Sequence, residues 1–374
     1  MKTFRIKNVQ KEREYEMKKT VKLFCIILSF AMTLTVFCSC GNKNSENLPL
    51  SGVTLKVFNW GDYIDENVLT IFEDETGAKV EYILYDSNDA MYERITKSNE
   101  SFDVCIPSDY MIEKMISEDL LYEIDYNNVP NAKNIEESFR KAPFDAFDPD
   151  GKFSVPYLWG ILGIVYDETK ISAEDASTWN ILFDKKYDGK IFMYGEKRDI
   201  LGIGLKSLGY SLNSVSEKEL KEAGDKLMAQ KELVRAYVGD DVKDKMMNAE
   251  GELAVMYAGD AITTADVNPD MKFALPKEGT NVFIDSMVIP KTAANKEAAE
   301  MFINFMCRKD IAEMNRAYVN YSSPQKEVID ELPQDKKNDP ATNPPLSYLE
   351  KCELYRDVGQ NQIRDELYTK IKAK

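Results

Sequence analysis

Two spacings of apolar residues alternate along the chain. Residues 54–58 form a short apolar run that reads as a buried strand, and Val68, Leu69 and Phe72 then share one face of a helix. Asp65 is placed to cap that helix and Gly77 to stop it. Residues 79–85 alternate, which puts Val80, Tyr82 and Leu84 on one face of a second strand. A helix over 86–98, a strand over 102–107 and a helix from about Tyr110 complete the first group. Strand and helix therefore take turns, as in an α/β layer with a mainly parallel sheet.

The rhythm breaks at residues 143–156, rich in Pro, Asp and Phe, and resumes with a strand-like run over 157–166. A second α/β stretch follows, with a helix over 201–208 ended by Gly209, a charged helix over 216–230 and a strand over 253–257. A strand near 283–290 and a helix over 296–307 read as a return to the first group, and residues 331–345 as a polar surface loop. No internal repeat is evident.

The N-terminus has a different pattern. Met17-Lys18-Lys19 opens a basic region, residues 23–37 are apolar over signal-peptide length, and Ser39-Cys40-Gly41 follows as a processing site. The apolar stretch is too short for a typical membrane span. We read residues 1–16 as translation from an upstream start codon, 17–39 as a lipoprotein signal peptide, and Cys40 as the lipidated first residue of the mature chain. Residues 40–51 are a polar tether. A single acyl chain holds a protein only marginally, a limit that a multiply acylated lipoprotein cysteine overcomes.

With 374 residues, 44% of them hydrophobic, the chain is long enough for two compact lobes. Its formal charge of -16 argues against nucleic acid or anionic membrane as a partner and permits a cationic one. Removal of the basic signal would leave the mature chain more acidic still. Histidine is absent, so His-based metal sites, Ser-His-Asp triads and Cys-His dyads are excluded. The six cysteines (Cys25, Cys38, Cys40, Cys105, Cys307 and Cys352) have no CxxC spacing, and neither a disulfide framework, a metal site nor a cofactor is expected.

At Asn59-Trp60-Gly61-Asp62-Tyr63, directly after the first strand, the sequence begins to resemble the bacterial spermidine/putrescine-binding proteins of ABC transporters. Asp86-Ser87-Asn88, Pro107-Ser108-Asp109-Tyr110, Pro156-Tyr157-x-Trp159-Gly160, Pro276-Lys277-Glu278-Gly279, Asp285-Ser286 and Ile289-Pro290 continue the likeness in the same order. The resemblance implies a two-lobe periplasmic-binding-protein-like (type II) α/β fold with a hinge and a ligand cleft between the lobes. Lobe 1 would comprise 52–159 and 283–350, and lobe 2 would comprise 160–282 and 351–374. It also implies spermidine or putrescine as ligand, ABC permease subunits as partners, a monomeric state and no enzymatic activity.

The chemistry suits a flexible polycation. A buried ammonium needs carboxylate partners, and its methylene stem needs apolar walls, which aromatic faces supply while attracting the cation by about 0.5–2 kcal/mol each. By motif position, Trp60 and Tyr63 match aromatic wall residues, with Asp62 between them, and Ser108 and Tyr110 match the next site turn; Asp109 reads as a capping residue. Glu196 and Asp199 match a pair of acids three residues apart, with the family's usual Asp and Glu exchanged. Tyr257 and Phe283 stand where relatives carry Trp, Asp260 and Asp285 match ligand acids, Tyr321 matches a further wall, and Tyr355 falls where relatives have Gln. Plainer readings stand beside these: Trp60 as a core side chain, Asp62 as a helix-start acid, and Glu196 with Asp199 as a solvated helix start. At the level of function the rivals are a glycosidase-like pair of carboxylates, a binder of another small solute, and a polyamine sensor.

Overall fold

In the computed structural model, residues 48–141, 144–359 and 361–373 are described. The first strand, β1 (Thr54–Trp60), leads through a short turn into the helix Glu66–Thr76. Asp65 accepts a hydrogen bond from the Asn67 backbone N–H, and Gly77 ends the helix at φ 77°, a conformation that costs glycine little. β2 (Lys79–Tyr85) and β3 (Val104–Cys105) both lie parallel to β1. On β2 the sequence expectation fails in part: Leu84 is 53% exposed, and Tyr85 is the buried residue. β2 is an edge strand with only β1 as neighbour, so its alternation does not select one deeply buried face.

β3 is also shorter than the run over 102–107 suggested. After Cys105 pairs with Val288, the Pro107 carbonyl accepts from Ser286 N–H, but proline has no N–H with which to continue the ladder. The helices Asn88–Lys97 and Asp109–Ser117 flank it. The Asp- and Pro-rich passage before β4 (Ser154–Asp167) is organised by Asp148, whose carboxylate accepts from the backbone N–H groups of Lys152, Phe153 and Ser154 and from the Ser154 hydroxyl.

β4 joins the two halves of the molecule. Its first part, Ser154 to Ile161, pairs antiparallel with β9 (Val282–Val288). Its second part pairs with β7 (Leu253–Tyr257) on one side and β8 (Met271–Ala274) on the other. Beyond β7 lie β5 (Ile191–Tyr194) and β6 (Val234–Val238), both parallel. The resulting order is β2-β1-β3-β9-β4-β7-β5-β6, with β8 beside β4. This is the two-lobe α/β architecture expected of a type II binding protein: a parallel group of strands in each lobe, joined through antiparallel crossing strands.

The core divides in the same way. One cluster gathers Leu55, Phe58, Phe72, Val104, Ile284 and Phe302, and a second gathers Ile164, Trp179, Leu253 and their neighbours. Ala258, Ile262 and Leu354 pack with the first cluster although their flanking segments belong to the second half. The expected loop over 331–345 contains a short helix, Gln334–Asn338, and buries Ala341 and Thr342 against the body, where the Thr342 carbonyl accepts from the Ser322 hydroxyl. Among the described residues no helix is long and apolar enough to cross a membrane. The signal-peptide and Cys40 assignments lie outside the described residues.

Candidate functional site

The C-terminal ends of β1, β3, β5, β6 and β7 converge on one cavity of about 1170 Å³, the position at which open α/β sheets usually bind ligands. Every ligand-site candidate named from the sequence lines it, and carboxylates outnumber basic side chains on its wall.

Trp60, the last residue of β1, is half-buried, its indole N–H donating to the Ile106 carbonyl at 2.9 Å and its ring 4.7 Å from that of Tyr85. The chain then turns through Asp62 in the left-handed region, φ 49°, which Asp tolerates better than most residues. Asp62 is exposed and does not start the helix, since Asp65 holds that position. The turn carries Tyr63 inward, where its ring packs edge-on against Tyr157 and Tyr321. From Tyr321 the edge-to-face contacts continue to Phe283, then Tyr257, then Tyr194. One aromatic wall thus runs from the first lobe to the second. At Gly259 the Tyr321 ring lies so close that a Cβ would sit 2.6 Å from it, so glycine is required for this wall to stand where it does.

The wall's hydroxyls are spent on carboxylates. Tyr63 donates to Asp285 Oδ2 at 2.7 Å, Tyr257 and Tyr355 both donate to Asp199 Oδ1 at 3.0 Å, and Tyr321 donates to Asp260 Oδ2 at 3.0 Å. Neutral donors orient an acid without cancelling its charge. Asp285 is 5% exposed, and its Oδ1 has no hydrogen-bond partner among the described residues. Burial raises its carboxyl to about 6 against the pull of the Ser108 and Tyr63 hydroxyls, and burial raises Asp199 to about 7. Neither acid has a basic side chain within ion-pair distance among the described residues, although the Arg198 guanidinium pulls Asp199 downward from further away.

The Ser108 turn is clamped by Asn88, whose amide donates to the Ser108 and Tyr110 hydroxyls and whose Oδ1 accepts from Ser108 N–H. The face of Tyr110 is covered by the Arg198 guanidinium at 3.7 Å. Asp109, read from sequence as a cap, is instead a buried bridge: it accepts from Ile284 N–H on β9 and from Tyr110 N–H, and burial raises it to about 8. The helix expected over 201–208 starts earlier, at Lys197–Lys206, so that Glu196 stands at its N-cap without a side-chain cap bond and Asp199 in its first turn. Glu196 is exposed at the cavity rim while Asp199 is buried, which separates the two acids in character.

Arg198, Tyr194, Asp240 and Lys243 also line the cavity and were not singled out from the sequence. Asp240 accepts from the Tyr194 hydroxyl at 2.6 Å, and Lys243 pairs with Asp260 at 3.3 Å. Their signal was their position at or just after the ends of strands, Tyr194 and Arg198 at β5 and Asp240 and Lys243 at β6.

The profile of bacterial extracellular solute-binding proteins matches residues 99–351. This chain belongs to that family. The profile of a hypothetical lipoprotein family (MG045 family) matches residues 17–145. The spermidine/putrescine-binding periplasmic protein of Salmonella typhimurium is 31% identical over 322 residues, 86% of this chain and 92% of the relative. A solved chain from Listeria monocytogenes is 40% identical with a TM-score of 0.80, covering 85% of this chain and 98% of that one. The spermidine/putrescine ABC transporter substrate-binding protein PotD of Streptococcus pneumoniae is 38% identical with a TM-score of 0.76, covering 86% and 98%. As a solute-binding protein of this family, the chain is expected to work on the outer side of the cytoplasmic membrane.

Proposed function

We propose that this solute-binding protein captures a polyamine, spermidine or putrescine, in its interlobe cavity and delivers it to the permease subunits of an ABC transporter. The observation that carries the reading is Asp285: a buried carboxylate at the foot of an aromatic wall, fixed by a neutral tyrosine hydroxyl, with one oxygen unpartnered among the described residues. An alkylammonium supplies the missing charge and donors, and the wall of Tyr63, Tyr321, Phe283 and Tyr257 covers its methylene stem. Anionic solutes would meet an excess of like charge on this lining. The names of the similar proteins support the same ligand class.

Asp199, Asp260, Asp62 and Glu196 are the further acids in this reading, and Trp60, Tyr110 and Tyr355 complete the walls, with Ser108 bracing Asp285. The protein works as a monomer that closes its lobes over the ligand, with lobe 1 at 52–159 and 283–350 and lobe 2 at 160–282 and 351–374. The change of β4 partners near residue 161 supports that boundary. Lipidation of Cys40 tethers it to the membrane, a reading supported by the lipoprotein profile beginning at residue 17.

Melting experiments test the ligand class. A ligand that binds only the folded protein stabilises it by about 2.7 kcal/mol at a hundredfold excess over its Kd, a rise on the order of 5 °C for a protein of this size. Putrescine and spermidine are expected to give such a rise, and neutral sugars and amino acids none. A melting temperature unmoved by millimolar polyamine would overturn the proposal.

A further inference from the structure

Among the cavity acids Asp109, Asp199, Asp260 and Asp285, Asp260 alone has a basic side chain of the protein within ion-pair distance among the described residues. Lys243 Nζ lies 3.3 Å from its Oδ1, and the Tyr321 hydroxyl lies 3.0 Å from its Oδ2, so both oxygens are engaged. The pair is largely shielded, with side-chain exposures of 27% for Lys243 and 13% for Asp260. Lys243 sits on the short helix Val242–Met247 that follows β6, and the electrostatic influence of Asp240 and Asp62 also favours its charged form. Asp199 and Asp285, by contrast, are held by hydroxyls only, and Asp109 already receives two backbone N–H groups.

We propose that Lys243 is a specificity-determining residue: its ammonium occupies Asp260, the place a further ammonium of the ligand would take. With Lys243 seated, two buried acids, Asp199 and Asp285, remain to be matched by cations, which favours a ligand with two charges. A ligand with three must displace Lys243 to use Asp260, and the displaced ammonium loses a shielded partner. The cavity thus carries its own cation as a selector for the number of ligand charges. This inference rests on the polyamine reading of the same site.

The test is calorimetric titration of putrescine and spermidine into the parent protein, Lys243→Met and Lys243→Arg. Methionine keeps the stem and removes the charge. Spermidine affinity is expected to rise at least about tenfold in Lys243→Met, putrescine affinity to change less than about threefold, and Lys243→Arg to resemble the parent; these are charge-pair effects of ordinary size. Adding Asp260→Asn to Lys243→Met is expected to abolish the spermidine gain, a coupling that mere loss of packing does not produce. Lys243→Gln, shorter and polar, should repeat the selective gain if Lys243→Met proves unstable. Unchanged selectivity in whichever neutral variant folds, with the parent still binding polyamines, overturns the selector role alone. A parent that binds neither polyamine overturns the ligand assignment and this inference together.

Discussion

Asp285→Asn is expected to weaken polyamine binding by about 2–5 kcal/mol, between about thirtyfold and a few thousandfold, while the protein still folds. The amide nearly preserves the shape of the carboxylate, and its oxygen can still accept from Tyr63. What disappears is the charge facing a cation that has given up water on entering a closed cleft. Because burial already raises the Asp285 carboxyl to about 6, removing its ionisation should stabilise the free protein slightly at neutral pH rather than harm it. A variant that melts normally and binds polyamines as tightly as the parent would remove Asp285 from the site.

The second large effect concerns pH. The chain has no histidine, so between pH 5 and 8 its folded state titrates mainly through carboxyls displaced upward. These include Asp285 at about 6, Asp199 at about 7 and Asp109 at about 8, each raised chiefly by burial, and Asp260, raised by burial against the opposing pull of Lys243. A bound ammonium requires its carboxylate ionised, so below these values binding must expel protons. Each acid that has to lose a proton weakens binding by about tenfold per pH unit below its pKa. Affinity is therefore expected to fall by at least about tenfold from pH 8 to pH 5, and at pH 6 calorimetric heats should depend on the ionisation enthalpy of the buffer.

The free protein should respond with the opposite sign. In the unfolded chain these acids release their protons near pH 4, whereas the folded protein holds them to higher pH, so stability is lost as pH rises through 6–8. Carboxyls held low by partners, such as Glu113 beside Arg356 and Glu300 beside Lys296, stay ionised across this window and leave the slope unchanged. The unliganded protein is expected to melt higher at pH 5 than at pH 8, and saturating polyamine to reduce or invert the difference. An affinity that is flat or rises toward pH 5 would show that these buried acids do not meet the ligand.

Local order was largely legible in the sequence where local chemistry decides it. The capped helix ending at Gly77 and the strand Leu253–Tyr257 follow from caps and short apolar runs. Legibility failed where tertiary neighbours decide: Leu84 points to solvent because β2 is an edge, and the 331–345 segment folds onto the body because Ser322 and its surroundings hold Thr342. In the cavity, residue types in family motifs pointed to the acids and rings. They did not reveal that the tyrosines donate to the acids, that Asp109 bridges to β9, or that Arg198 and Lys243 place cations of the protein on Tyr110 and Asp260. Most of those pairings join residues far apart in the chain, and two of them, Arg198 with Tyr110 and Tyr321 with Asp260, join its two halves.

The central claim is polyamine capture, and its most direct test is a calorimetric panel on the purified mature protein at pH 8. Putrescine, cadaverine, spermidine and spermine would be titrated beside amino acids and neutral sugars. Putrescine and spermidine are expected to bind saturably, one per protein, with no heat from sugars or amino acids; saturable binding of an amino acid or sugar without any polyamine binding would contradict the account.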